Sequence, residues 1–290
     1  MHRDSPGISS HIACVGDNCI DHYLPPIGRR FAAGNAINVA VWLRRGGFAV
    51  DYFGAVGDDD DGSLILAALA AEGVGIDNVA ALPSPTSVTD IVVSPHGERE
   101  FVRVAEGAAE EYEPDREVVA ALSAYRLAHA VNISDHTILT DPLLAAGVPV
   151  TYDFDTCAQP VAVDGLTMVF FSPEVGTTPA DVDDLVADAV RRGARAAIAM
   201  CGPNGSVGCD ARGLVRVPAA PVAAIDTCGA GDSYIAAVIA GHLAGGGLDT
   251  CMHAGAALAA TVCGHVGALP PGVVPSTVST ASIARAREGT

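Results

Sequence analysis

The 290-residue chain has no lysine; all 16 of its basic residues are arginine. That absence excludes a Walker-type phosphate loop, which needs G-x-x-x-x-G-K-[ST], and any Schiff-base lysine mechanism. A phosphate group must instead be held by backbone N–H groups, arginine, metal or helix ends. No two of the eight cysteines form a C-x-x-C pair. Most lie in apolar or small-residue segments, so buried thiols are expected rather than disulfides or a zinc site. No apolar run reaches membrane-spanning length without a charge or a breaker, and the start, Met1-His-Arg-Asp-Ser-Pro6, does not read as a signal peptide. A cytoplasmic protein with no membrane partner is the expectation. Positive charge is scarce as well: 34 acidic residues outweigh the arginines, for a net charge of −18. This argues against nucleic acid bound on a broad basic face, and says little about a nucleotide in a local pocket.

Half of the residues are hydrophobic and 32 are glycine, enough for one large α/β domain or two ordinary ones. From about residue 115 the pattern alternates helix and strand, with helices over 117–125 and 182–192 and strands over 129–134, 150–154, 168–171 and 196–200. Such alternation predicts a mostly parallel sheet with helices on both faces. An earlier strand over 11–16 ends in Asp17, Asn18 and Asp21, polar groups outside the carboxyl end of a strand, where open α/β sheets usually bind ligands. Asx turns closing the strand are the alternative for these residues. An amphipathic helix follows, opening at Gly34-Asn35 and stopped by Gly46-Gly47. Gly57-Asp-Asp-Asp-Asp-Gly62 fails the calcium-loop spacing, since Gly57 and Ala68 would fall at the first and twelfth ligand positions. A loop running into a helix N-terminus is the better reading. The segments 87–93 and 99–104 flank a Pro/Gly turn and predict a β-hairpin. With 24–31 it would form a small sheet, on which Thr89, Arg103 and Glu106 are candidates to face a ligand.

The chain is organised around Asp226-Thr-Cys-Gly-Ala-Gly-Asp232 and the helix it opens. Gly229, Ala230 and Gly231 leave backbone N–H groups free at that helix start, a ready anion site. Asp232 would repel an anion there. Either it is a general base that accepts a hydroxyl proton during phosphoryl transfer, or it is a first-turn acid that favours the helix dipole.

Asp226-Thr-Cys-Gly-Ala-Gly-Asp-Ser-Tyr234 resembles the C-terminal signature of the ribokinase (PfkB) family of carbohydrate kinases. Ala33-Gly-Asn-Ala-Ile-Asn-Val-Ala40 resembles its N-terminal signature, with Ala33 in place of the first glycine. The resemblance implies an α/β fold, a ribokinase-like three-layer α/β/α sandwich with a small β-sheet lid. It spans 1–290 as one kinase domain, with lid strands from about 22–33 and 86–105. It implies ATP as phosphoryl donor, with magnesium and a potassium-type ion. Asp232 is then the catalytic base and Gly229, Ala230 and Gly231 the anion hole. The sugar would meet Asp17, Asp21, Gly34, Asn35, Asn38 and Arg103. The nucleotide would meet Gly202, Gly205, Cys228, Gly229, Gly231, His253 and Ala257. Glu174 would reach magnesium through water, although Ser172-Pro173-Glu174 departs from the family's Asn-x-x-Glu. Asp226, with backbone at Cys228, Ala259 and Gly264, would hold the monovalent cation.

Cys14-Val-Gly-Asp-Asn-Cys-Ile-Asp21 and Gly264-His-Val-Gly-Ala268 are similar to the fructoselysine and fructosamine kinase branch. This implies phosphorylation of a primary hydroxyl of a sugar or sugar–amine conjugate. A kinase of ribose, fructose or a nucleoside is the alternative, and a non-catalytic sugar- or nucleotide-binding regulator a further one. A homodimer through the lid follows from the same likeness.

Overall fold

The computed structural model describes residues 10–94, 99–156 and 162–275. The expected start, the tip of the 87–104 hairpin, Cys157 and the tail beyond 275 lie outside them. In chain order the elements are β1 (Ile12–Val15), β2 (Cys19–Tyr23), β3 (Arg29–Ala33), α1 (Asn35–Arg45), β4 (Val50–Gly57), α2 (Asp60–Glu72), β5 (Gly75–Leu82), β6 (Val88–Val93) and β7 (Arg99–Ala105). There follow α3 (Arg116–Leu122), β8 (Leu127–Val131), α4 (Thr137–Ala145), β9 (Val150–Asp153), β10 (Met168–Phe171), α5 (Pro179–Arg191) and β11 (Ala196–Met200). The last are β12 (Ser206–Asp210), β13 (Gly213–Val217), α6 (Ala230–Leu243) and α7 (Leu248–Cys263).

Nine strands form one sheet in the order β13-β12-β11-β10-β9-β8-β1-β4-β5. From β11 to β5 neighbours are parallel, and only β12 runs against the rest, pairing antiparallel with β11 and β13. Both faces are covered, so alternate strand residues enter different cores. Ile12, Cys14, Met168, Phe170 and Ile198 join the core built with α1, α2, α6 and α7. Ala13, Val15, Val169, Phe171, Ala197 and Ala199 join the one built with α3, α4 and α5. The chain leaves β1 for β4 and β5 on one side and returns to β8 on the other. The strand order therefore reverses beside β1, and the crevice at its carboxyl end is the ligand position open α/β sheets favour. Asp17 lies there. The edge strand β5 has no sustained period-two burial, which is why the sequence pattern does not reveal it.

Four strands, β3-β2-β6-β7, make the small sheet. It starts earlier than expected, at Cys19, so Asp21 sits within a lid strand rather than in a turn after β1. Tyr23 and Ile91 of this sheet pack against Cys228 and Ala268, which seats the lid over the start of α6. Between β6 and β7 the register shifts: Asp90 pairs with Arg103, but Ile91 pairs with Phe101. Val102 is the extra residue, and a bulge of this kind reverses which face the following side chains take.

The run of four aspartates works as a helix start. Asp59 caps α2, accepting from Gly62 N–H at 2.8 Å, and also takes the Thr86 N–H at 2.8 Å and its hydroxyl at 2.6 Å. It thereby ties α2 to the approach of lid strand β6. Asp59→Ala is expected to lower unfolding stability by about 1–2 kcal/mol, the worth of a cap and its partners. Urea denaturation monitored by circular dichroism checks this; an unchanged midpoint would show that the cap carries no stability.

Candidate active site

Asp226 is fully buried. Its carboxylate accepts from the Tyr23 hydroxyl at 2.6 Å, Cys228 N–H at 2.9 Å and Gly267 N–H at 2.8 Å. One side chain thus joins the lid, the turn before α6 and the loop after α7. The turn then needs a left-handed residue, and Gly229 supplies it with φ 72°; a Cβ there would overlap Ala268.

No side chain caps α6. The Ala230 N–H turns back to Thr227 O at 3.3 Å and the Ser233 N–H to Gly229 O at 2.9 Å. Those of Gly231 and Asp232 have no acceptor among the described residues, so this helix end can take an anion. The start of α1 is treated in the opposite way. Asp17 accepts from Asn35 N–H at 3.3 Å and Ala36 N–H at 3.1 Å, filling that terminus with a protein carboxylate.

Asp232 is only 8 % exposed and receives the Asn38 side-chain amide at 2.7 Å. Burial raises its pKa to about 7, against the pull of Asn38 and Arg99 and with the repulsion of Asp17 and Asp155. Such a carboxylate is poised for proton transfer near neutral pH. Asn38 Oδ1 is buried with no partner among the described residues, which leaves an acceptor free for a hydroxyl donor. Gly34 precedes this helix with φ 124°, and a Cβ on it would overlap Asn18.

Further carboxylates surround the base. Asp153 ends β9, buried and pushed well upward by desolvation and by Asp232, Asp155 and Asp17. Asp155 follows with φ 47° and is also raised by burial, which Arg99 opposes. Asp21 is buried on β2, where the Cys228 thiol lies 3.1 Å and the Cys19 thiol 3.5 Å from its two oxygens. Burial raises Asp21 too, partly offset by Cys228 and Arg99.

Asp17, Asp21, Asn38, the Gly229–Gly231 turn and Asp232 therefore meet in one crevice between lid and sheet. Gly34 and Asn35 stand at the start of α1 beside Asp17. The end of β11 is adjacent: Met200 Cε lies 3.7 Å from where a Cβ on Gly231 would be. Gly202 and Gly205 form the turn just beyond it.

Arg103 is not in this group. It pairs with Asp90 at 2.8 Å, and His22 meets the same carboxylate at 2.8 Å. The bulge at Val102 puts Arg103 on the outer face and lets Arg99 reach inward. Arg99 Nη1 donates to Cys228 Sγ at 3.3 Å, and its charge acts on Asp21, Asp155 and Asp232. Simple alternation along β7 would give the two arginines one face, so sequence reasoning missed Arg99. Elsewhere, His253 is exposed on α7 and lies 3.6 Å from Asp249, with Ala257 one turn on. Glu174 is exposed past the end of β10. Ala259 and Gly264 lie toward and just past the end of α7, where Cys263 O accepts Ile225 N–H at 2.7 Å and Asp226 N–H at 3.3 Å.

Comparison with known proteins agrees with this geometry. The pfkB family carbohydrate kinase profile matches residues 10–149 and 166–273. A fructoselysine 6-kinase of Escherichia coli is 35% identical over 241 residues, covering 81% of this chain and 90% of that protein. A fructosamine kinase of Bacillus subtilis is 29% identical over 237 residues, covering 78% and 81% respectively. Among solved structures, Arabidopsis thaliana ribokinase complexed with ribose and ATP superposes with a TM-score of 0.77 at 21% identity, over 95% of this chain and 97% of that one. That likeness shows a ribokinase-like fold. With the profile spanning most of its length, the chain belongs to the PfkB family of carbohydrate kinases.

Proposed function

We propose that this sugar kinase transfers the γ-phosphoryl group of ATP to a primary hydroxyl of a fructosamine-type conjugate such as fructoselysine. One observation carries the reading: a buried carboxylate with a pKa of about 7 stands in the first turn of a helix whose amides are open. Asp232 takes the hydroxyl proton as the oxygen attacks phosphorus, and ADP leaves. The open amides of Gly231 and Asp232, with the Gly229 turn before them, meet charge on the transferring group; the Ala230 N–H is turned back to Thr227 O. Such positioning and electrostatics supply most of the rate in phosphoryl transfer.

Asp21, Asn38, Gly34 and Asn35 are the groups assigned to the sugar; Asp17, engaged by the first amides of α1, stands behind them, and Arg99 replaces Arg103 among them. Gly202, Gly205, Cys228, His253 and Ala257 remain on the nucleotide side of the reading. The substrate class follows from the relatives and from charge. Burial raises the carboxyl pKa values of Asp17, Asp21, Asp153, Asp155 and Asp232, and an ammonium group on the sugar would favour their ionised form where a neutral sugar would not.

Magnesium would be held through few protein ligands and several waters, with the half-buried Asp155 carboxylate as a hard oxygen donor and Glu174 reaching the ion only through water. When bound it would supply positive charge to offset the negative charge of the phosphates. A potassium-type ion at Asp226 fits less well, because three protein donors already occupy that carboxylate, and no step is derived from one. A lid-to-lid homodimer belongs to the same reading, supported by Phe101, Val102 and Val104 exposed on the lid's edge strand. A monomer in sedimentation velocity removes it.

An ADP-release screen over fructoselysine, other Amadori compounds, fructose, ribose and nucleosides tests the function. The conjugates are expected to exceed fructose at least about ten-fold in kcat/KM, the worth of one charge-assisted contact. A preference for a neutral sugar or a nucleoside overturns the assignment and is separable from a regulator, which would bind sugar or nucleotide with no ATP turnover.

Asp232→Asn should keep the fold and ATP binding while lowering kcat roughly 10²-fold or more; near-full turnover would remove Asp232 from the base role. The base acts only when deprotonated, so kcat/KM should rise with pH through an apparent pKa of about 7. Arg99 lowers the Asp232 pKa, and Arg99→Gln should therefore move that limb upward. A limb that stays in place would show that Arg99 does not act on the base.

A further inference from the structure

Several described arginines have a carboxylate partner: Arg30 has Asp61, Arg45 has Glu72, Arg103 has Asp90 and Arg216 has Asp183. Arg195 and Arg212 have none. Neither side chain has an ion pair or hydrogen bond among the described residues, although the chain carries about twice as many acids as bases. Both line one cavity of about 230 Å³. It opens at the amino ends of β10 and β11, on the edge of the sheet opposite the crevice that holds Asp232. Its size falls below the roughly 300 Å³ of ordinary ligand pockets, which suits a small anion better than a nucleotide.

The remaining walls add donors. His242, near the end of α6, lines the cavity, and Arg195 stands close enough that burial and its charge together lower the imidazole pKa. Gly246 and Gly247 lead into α7, whose start has no side-chain cap. Arg212 Nη1 is 3.8 Å from where a Cβ on Gly247 would sit, which places the guanidinium beside the start of α7. Asp210 is the only carboxylate among the lining residues, and its Oδ1 accepts the Arg212 backbone N–H at 2.8 Å. Asp249, in the first turn of α7, lies toward His253 at 3.6 Å.

We propose that this cavity is a second binding site, for a phosphate dianion, free or as a small phosphomonoester, held by Arg195, Arg212, His242 and the first amides of α7. Planar guanidinium forks suit phosphate oxygens, and a helix N-terminus adds unpaired N–H groups. General charge attraction cannot account for binding here, because the whole molecule repels anions.

Calorimetric titration of the full chain with inorganic phosphate and, separately, with glycerol 3-phosphate tests the site at constant ionic strength in chloride. Saturable binding of at least one anion is expected. Arg195→Gln and Arg212→Gln should each weaken it about ten-fold or more, and the double variant should abolish it. Both side chains are exposed, so the variants should keep the wild-type melting temperature and the KM for ATP. His242 imidazole signals should move in step with the heat. Equal saturation by both anions identifies free phosphate as a sufficient ligand, and saturation by the ester alone identifies a monoester site. Equal binding by wild type and double variant overturns the proposal, since the anion then sits elsewhere, at the α6 turn for instance. The absence of saturable heat with both anions overturns it too.

Discussion

The hydrogen bond from Asn38 to Asp232 joins the two helices on which the site depends. α1 and α6 come from opposite ends of the chain, pack side by side in one core, and bring their N-termini to the same crevice. One terminus is filled by Asp17 and the other is open. Two open ends would both attract phosphate and leave the acceptor hydroxyl no defined place. On the proposed reading, closing α1 with a carboxylate and leaving α6 bare separates a sugar side from a phosphoryl side, with Asp232 held on the boundary between them.

Asp226 does for the lid what Asn38 does for the helices. Its three donors come from β2, from the turn and from the loop after α7, so the lid strand carrying Tyr23 is fixed to the turn that positions Gly229. Buried carboxylates are costly unless every oxygen has a partner. Here the partners are also the segments whose relative placement shapes the crevice.

Much of this was legible in the sequence. Gly229-Ala230-Gly231-Asp232 announces an open helix end beside a carboxylate, and the alternation after residue 115 announces a parallel sheet. Asp21 was legible as a candidate, but not its place on a lid strand, because Cys19–Tyr23 has no clean period-two pattern. Strand β5 escaped for a similar reason, being an edge strand with little burial. Arg99 and Arg103 show a harder limit. Which of two arginines on one strand faces inward depends on a single extra residue at Val102, and a bulge leaves no mark in composition. The acids Asp153 and Asp155 were likewise hidden, since only the register of β9 beside β8 and β10 brings them to Asp232.

That last grouping bears on how the site holds its charges. Carboxylates crowded into a low-dielectric crevice raise one another's pKa, and without a cation the base would be protonated over a wider pH range. Arg99 is the cation that opposes this, and it belongs to the lid, whereas Asp232, Asp153 and Asp155 belong to the main sheet and its helices. The proton affinity of the base therefore depends on where the lid stands. A lid strand carrying Arg99 away would leave Asp232 more basic but less often ionised, and its return would restore the ionised form beside the α6 amides. A lysine at this place would be a strongly hydrated point charge. An arginine donates to the Cys228 sulfur while its remaining N–H groups, which have no acceptor among the described residues, can turn to Asp21 or a substrate oxygen.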